Sequence, residues 1–323
     1  MKDQFDRKID YMRISVTDRC NLRCQYCMPQ GISLEQHDDI LSYEEIMHVC
    51  KAAVSLGIVR FKITGGEPLV RKGCVDFIAS LKELPGVEQV TLTTNGILLP
   101  TYLDALVAAG IDGVNVSLDT LDNEQYQKLT GSKQATASQV IESIENCAEL
   151  GIKTKVNSVL LAQTNESLTK MAALAVELPL SVRFIELMPI GTASVFEGIP
   201  MDEALECLQG VWPDLHPDHS KQGNGPARYY ASAKLKGRIG FIDAVSHSFC
   251  EQCNRVRLTA TGRLKLCLCY DDELDVKEML RNNVSAEELQ NAIKASITTK
   301  PRAHCFSEPT FITEQSNMNQ IGG

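Results

Sequence analysis

The sequence predicts an α/β fold, an incomplete (β/α)6 TIM-like barrel followed by a C-terminal α+β extension. Three observations carry this expectation. Strand and helix patterns alternate six times in the first two thirds of the chain, the residues with evident chemistry fall at the C-terminal ends of those strands, and the composition changes after Trp212. Alternating strands and helices imply a parallel sheet with right-handed crossovers. Six units are short of the eight that close a barrel. The expected division is 1–212 for the partial barrel, 213–228 for a connection and 229–323 for a C-terminal domain.

Tyr11-Met12-Arg13-Ile14-Ser15-Val16 reads as the first strand and runs directly into a cysteine loop. Ser42-Tyr43-Glu44-Glu45 has the form of a capping box, and Ile46, Val49, Cys50 and Ala53 follow at helical spacing. The unit then recurs, with strands expected at 59–64, 90–94, 113–118, 153–161 and 182–187. The intervening helices are expected at 73–84, 101–109, in a pattern running to Leu150, at 166–177 and at 201–208. Residues 213–226 are rich in turn formers and read as the connection. Beyond it lie shorter strands at 229–235 and 238–242, a hairpin pattern around Ala260-Thr261-Gly262-Arg263, and a helix capped by Ser285-Ala286-Glu287-Glu288.

Every candidate chemical residue of the first half sits after a strand: the cysteine loop, Gly65-Gly66-Glu67-Pro68, Thr93-Thr94-Asn95-Gly96, Ser117, Asn157 and Met188. In parallel α/β sheets that edge is where ligands bind. Taken singly, Met188 would be core packing and the paired glycines an ordinary turn.

A net charge of −9 argues against general nucleic-acid binding but leaves room for a small anionic substrate at a local basic cluster. No run approaches the length of a membrane span, and Met1-Lys2-Asp3-Gln4-Phe5-Asp6 lacks a signal peptide's apolar core. The expectation is a cytoplasmic protein without a membrane partner.

Of the twelve cysteines, six form two spaced groups. Cys20, Cys24 and Cys27 follow C-x3-C-x2-C, which suits three corners of an iron–sulfur cubane whose fourth iron stays free. Zinc commonly takes four ligands in C-x2-C pairs and fits this spacing poorly. Cys250, Cys253 and Cys267 follow C-x2-C-x13-C and again offer three thiolates, with a structural zinc site using Cys269 as fourth ligand left open. Asn254-Arg255-Val256-Arg257 lies between them, and on a strand both guanidiniums share one face. This second group is expected to close over the same strand edge as the first. Cys50, Cys74, Cys147, Cys207 and Cys305 read as buried or incidental thiols, and no disulfide framework is expected. No G-x4-G-K-S/T sequence occurs, so a P-loop does not hold a nucleotide here.

The loop C-N-L-R-C-Q-Y-C-M-P, the Gly65-Gly66-Glu67-Pro68 turn and the distal C-x2-C-N-R-V-R-x9-C resemble the radical S-adenosylmethionine enzymes, and within them the GTP 3′,8-cyclases of molybdenum cofactor biosynthesis. The resemblance covers essentially the whole chain, including the terminal Gly322-Gly323. It implies a lyase with two 4Fe-4S clusters, one on Cys20, Cys24 and Cys27 and one on Cys250, Cys253 and Cys267. Tyr26, Gly66, Ser117 and Met188 match positions around S-adenosylmethionine. Arg13, Lys62, Thr93, Lys155, Arg255, Val256 and Arg257 match positions around GTP, with Arg60 and Arg183 as further candidates. Arg13, Gly322 and Gly323 are the implied catalytic positions. The implied reaction cleaves S-adenosylmethionine reductively to a 5′-deoxyadenosyl radical, removes the ribose 3′ hydrogen of GTP and joins C3′ to C8. An electron donor such as flavodoxin, a downstream pyranopterin-forming enzyme and a homodimer are implied partners. Two positions depart from the family pattern: Cys269 stands where an aromatic residue is expected, and Lys62 stands where arginine is expected.

Overall fold

Six strands from the first two thirds of the chain pair in parallel, each with the next: β1 (Tyr11–Ser15), β2 (Arg60–Thr64), β3 (Gln89–Thr94), β4 (Gly113–Ser117), β5 (Thr154–Leu160) and β6 (Ser181–Glu186). The structure is a computed structural model that describes residues 1–220 and 222–322. The connecting helices are α1 (Tyr43–Ser55), α2 (Cys74–Glu83), α3 (Leu99–Ala108), α4 (Asn123–Thr130), α5 (Ala137–Glu149), α6 (Leu168–Glu177) and α7 (Met201–Val211). Both capping boxes read from the sequence form: Ser42 with Glu45 opens α1, and Ser285 with Glu288 opens a later helix. A third, Thr136 with Gln139, opens α5.

Period-two alternation in the strands decides which side chains meet the helices. Met12, Ile14, Phe61, Ile63, Val90, Leu92, Val114, Val116, Val156, Val182 and Phe184 are fully buried in the layer between sheet and helices. Each contributes about 1.5–3 kcal/mol by leaving water. The alternate positions, among them Arg13, Lys62, Thr93, Asn115, Lys155 and Arg183, face the barrel interior around one cavity. The core is therefore apolar outside the sheet and polar within it.

The C-terminal segment does more than follow the barrel. Its strands are β7 (His216–Asp218), β8 (Arg228–Ala231), β9 (Arg238–Ile242), β10 (Arg255–Leu258), β11 (Arg263–Lys265) and β12 (Glu273–Asp275), with α8 (Val276–Arg281), α9 (Ala286–Thr298) and α10 (Met318–Ile321). The twelve strands among the described residues form one sheet in the order β12-β11-β10-β1-β2-β3-β4-β5-β6-β9-β8-β7. β10 runs parallel to β1, and β9 runs parallel to β6. Eight neighbouring strands are thus parallel, two more than the six units legible in the sequence. Antiparallel hairpins occupy both outer edges, and among the described residues those edges do not pair to close the barrel. His216–Asp218, inside the expected connection, pairs with β8 as a short edge strand.

This topology sets where the second thiol group lies. Cys250 and Cys253 come just before β10, whereas the first cysteine loop comes just after β1. Since β10 and β1 are parallel, Cys250 and Cys253 precede β10 at the end opposite to the one where β1 enters the first loop, while their cavity is shared with Met188 and Ala244, which follow β6 and β9.

Candidate active site

The first thiol loop is set by backbone and side-chain contacts within itself, from α4 and from the residue after β3. Leu22 N–H donates to Cys20 Sγ at 3.4 Å, and Met28 N–H donates to the Cys24 carbonyl at 2.8 Å. The end of α4 holds the loop from outside: Arg23 and Gln25 N–H donate to the carbonyls of Thr130 and Leu129. Asn95 Nδ2, beyond β3, reaches Cys20 Sγ at 3.8 Å and Asn21 Oδ1 at 2.7 Å. Burial and the neighbouring thiols push Cys24 well above its ordinary value. Cys27 rises to about 12, chiefly by burial and then by the charge of Cys20. Three such thiols become thiolates together only when a metal centre compensates their charge. The donor set therefore fits a cluster.

Gly65 and Gly66 form the adjoining wall. A Cβ on Gly66 would lie 2.4 Å from the Arg19 carbonyl oxygen, and one on Gly65 would lie 2.6 Å from that of Thr17. Gly66 N–H donates to Thr17 O at 2.7 Å, and Glu67 N–H donates to Arg19 O at 2.8 Å. The close approach that demands glycine here is to the chain's own backbone entering the cysteine loop. Glu67 is fully buried and accepts from Leu69 N, Thr94 Oγ1 and Asn95 N. Burial nevertheless holds its carboxyl up at about 7. Tyr26 hydroxyl donates to Asp119 Oδ2 at 2.7 Å, and Asp119 Oδ1 accepts from Val159 N–H at 2.8 Å. Ser117 ends β4 in register with Asn157, whose Oδ1 is buried without a partner.

Inside the sheet lies a cavity of about 410 Å³. Arg13, Lys62, Lys155, Arg183 and Arg255 line it together with Tyr11, Thr93, Asn115 and Asn157. The register sets Arg257, Arg13 and Lys62 side by side on β10, β1 and β2. Burial first, then mutual repulsion, drives Lys62 and Arg257 well below their ordinary values. Arg13 falls to about 10 and Lys155 to about 8, again with burial leading. Nε of Arg183 and Nε of Arg255 are buried without acceptors. The lining carboxylate, Asp112, is bonded to Lys82 Nζ and Val90 N. Five cations around one cavity, with the Nε groups of Arg183 and Arg255 lacking acceptors among the described residues, call for a polyanion.

Arg60 does not join this set, because it pairs with Asp10 at 2.5 Å and Glu88 at 3.0 Å. Arg183 does join it, held by Asn115 Oδ1 at 2.9 Å. Val256 points the other way, with its side chain buried in the hydrophobic core. Lys155 also donates to the carbonyl of Gln222, so residues 222–226 cover one side of the cavity.

The second thiol group faces a smaller cavity shared with Met188, Arg255 and Arg257. Arg7 Nη1 holds the Cys250 carbonyl at 2.9 Å. Burial raises the Cys250 thiol, but the His304 and Ser248 contacts outweigh it and bring the group to about 7. Cys269 is bonded to Cys305 in a disulfide. That removes Cys269 as a fourth ligand, and it corrects the reading of Cys305 as an incidental thiol. Among the described residues no three His, Cys, Asp or Glu side chains are grouped to hold one metal ion. A cubane places its ligands on separate irons, so they need not converge on a point.

The tail reaches the same interior. Arg257 Nη1 donates to the Gly322 carbonyl at 2.8 Å, and Gly322 (φ 77°) lies against Ser15 and Thr64 at the ends of β1 and β2. Gly323 lies outside the described residues.

The sequence placed Glu67 and Asn95 within candidate stretches without giving either a role, and it did not mark Asp119, Tyr11 or Asn115 as site residues. A signal existed for two of them: Glu67 follows the paired glycines, and Asp119 follows Ser117 by two residues.

Residues 14–175 match the Radical SAM superfamily, and residues 180–306 match Molybdenum Cofactor Synthesis C. The protein named GTP 3′,8-cyclase in Clostridium perfringens (strain 13 / Type A) is 42% identical over 325 residues, covering 100% of both chains. Those so named in Heliobacterium modesticaldum and Petrotoga mobilis are 43% and 41% identical, again over 100% of both chains. Among solved structures, SuiB of Streptococcus suis bound to S-adenosylmethionine superposes with a TM-score of 0.66. It covers 97% of this chain and 78% of its own at 13% identity, a likeness of fold alone. With relatives this similar along its entire length, the chain belongs to the GTP 3′,8-cyclase family of radical S-adenosylmethionine enzymes.

Proposed function

We propose that this protein is a GTP 3′,8-cyclase that joins C3′ of the ribose to C8 of the guanine in the pathway to molybdenum cofactor. The observation that carries the reading is the cavity of about 410 Å³ lined by the five cations Arg13, Lys62, Lys155, Arg183 and Arg255, where Nε of Arg183 and Nε of Arg255 have no acceptor among the described residues. A nucleoside triphosphate supplies the anionic oxygens those donors lack.

In this proposal Cys20, Cys24 and Cys27 hold one four-iron cluster, and Cys250, Cys253 and Cys267 hold a second. The first supplies the electron that makes S-adenosylmethionine a source of a carbon radical. Tyr26, Gly66, Ser117 and Met188 surround that cosubstrate, and the Asp119 contact fixes the Tyr26 ring. Arg13, Lys62, Thr93, Lys155, Arg255 and Arg257 hold GTP, together with Arg183, while Val256 contributes through its backbone alone. Gly322 accepts from Arg257 at the chamber, where a residue without a side chain excludes water without crowding the substrate, and Gly323 is proposed to act beside it. The functional division is 1–212 for radical generation and 229–323 for the second cluster, with 213–228 between them. An electron donor such as flavodoxin, a downstream pyranopterin-forming enzyme, a homodimer and a cytoplasmic setting complete the proposal. None of the described helices is long and apolar enough to cross a membrane.

The test is anaerobic reconstitution with iron and sulfide, followed by incubation with GTP, S-adenosylmethionine and dithionite. Formation of 5′-deoxyadenosine matched by loss of GTP is expected. Deoxyadenosine without GTP consumption would reject the cyclase assignment.

A further inference from the structure

Residues 300–306, which follow α9, cross the second thiol group as a strap fastened at both ends. At one end the Arg7 guanidinium gathers the carbonyls of Lys300, Pro301, Arg302 and Cys250, and its Nε is paired with Asp3 at 2.6 Å in a buried contact. At the other end Cys305 is bonded to Cys269. Between these anchors Lys300 and His304 line the cavity that also contains Cys250, Cys253 and Cys267.

Among the described residues both side chains carry N–H groups with no acceptor at full hydrogen-bond geometry, although the His304 ring already lies near the Cys250 thiol. Lys300 is 2% exposed, and its ammonium donates to the Leu266 carbonyl, one residue before Cys267. An ammonium has three donors, so two remain for other acceptors. His304 stacks on Phe306 at 4.6 Å, and its Nδ1 accepts from Phe306 N–H at 3.3 Å. That contact fixes the tautomer, leaving the proton on Nε2. Nε2 is buried and has no hydrogen-bond partner among the described residues. Its own backbone N–H already donates to Cys250 Sγ at 3.3 Å.

We propose that His304 Nε2–H and Lys300 Nζ–H are positioning donors to the sulfur atoms of the cluster held by Cys250, Cys253 and Cys267. The proposal rests on the reading that this group holds a cluster. Reduction adds negative charge to cluster sulfur, so donors aimed at it favour the reduced state and raise the reduction potential. The strap fixes them before reduction, so little reorganisation accompanies the electron.

The experiment is an anaerobic redox titration followed by EPR, with iron counted, on the full chain without GTP. Wild type is expected to hold about eight irons. His304→Leu should shift the midpoint of the second cluster to lower potential and leave that of the first unchanged. His304→Gln, which retains a donor, should restore it, and Lys300→Met should shift it in the same direction as His304→Leu. A wild type with about four irons overturns the second-cluster reading and this proposal together. About eight irons with an unmoved midpoint in His304→Leu overturns the donor assignment alone. If the leucine variant sheds the cluster, wild type labelled with 15N-histidine decides: pulsed EPR of the reduced second cluster either shows a histidine nitrogen coupling, which supports the proposal, or shows none, which rejects it.

Discussion

Gly66→Ala should be among the most damaging single-methyl changes in this chain. The added Cβ would lie 2.4 Å from the Arg19 carbonyl oxygen, 2.7 Å from the Arg19 carbonyl carbon and 2.7 Å from the Asp18 carbonyl oxygen. All three are backbone atoms, which cannot rotate aside as a side chain can, so residues 65–67 must withdraw. Withdrawal stretches the bonds from Gly66 N to Thr17 O and from Glu67 N to Arg19 O. Each net bond is worth about 1 kcal/mol, and forced overpacking costs about 1–3 kcal/mol more. The sum is roughly 3–5 kcal/mol, placed one residue from Cys20. Urea unfolding should show that loss, and anaerobic iron analysis should show about four irons fewer than wild type, the content of one cubane. Gly210→Ala in α7 is the control, since nothing lies within 4 Å of its Cβ. It should gain up to about 1 kcal/mol from helix propensity. A Gly66→Ala protein with unchanged stability and a full iron complement would refute the steric argument.

Glu67 gives a pH signature. Its folded carboxyl sits at about 7 against an ordinary 4.5, so the folded chain binds this proton more tightly than the unfolded chain does. The resulting stability is fully present below about pH 4.5 and is lost as pH rises through about 7, a swing of roughly 3 kcal/mol. Glu67→Gln should flatten that part of the stability profile in denaturant titrations, and an unaltered slope would count against it. Arg183→Met should weaken GTP binding roughly tenfold or more, the worth of a charged hydrogen bond, with the iron content intact. Equal GTP affinity in anaerobic calorimetry would remove Arg183 from the cavity's function. Asp3→Asn leaves the Arg7 charge buried and should cost about 3–5 kcal/mol, read as a lowered Tm. An unchanged Tm would mean that Arg7 finds another acceptor.

The βα period, the two thiol groups and the capping boxes were legible because each is local. A strand announces itself by alternation, a capping box spans four residues, and Cys20, Cys24 and Cys27 occupy eight. The boundaries differ from expectation by one to four residues, as at the start of α3 and the end of β8. β9 and β10 were readable as short strands or arginine-bearing runs, but not as parallel strands of the barrel. No helix of the βα kind precedes them to imply the pairing. Arg60 and Arg183 look alike in the sequence. Only the neighbours Asp10 and Glu88 on one side, and Asn115 on the other, separate an ion-paired rim from a cavity wall.

The sequence alone therefore determined what chemistry is available: three thiolates in each of two groups, glycines before Glu67, and arginines two apart on a strand. Spacing along one segment fixes which side chains can act together at short range. The tertiary structure decided which distant segments meet. It set Cys250 and Cys253 ahead of β10 beside β1, joined Cys269 to Cys305, and laid residues 300–306 over Cys250 through Arg7. Those outcomes depend on pairing across a sheet and on contacts more than 240 residues apart. Such contacts form only when burial of the whole core offsets the entropy of closing the chain between them.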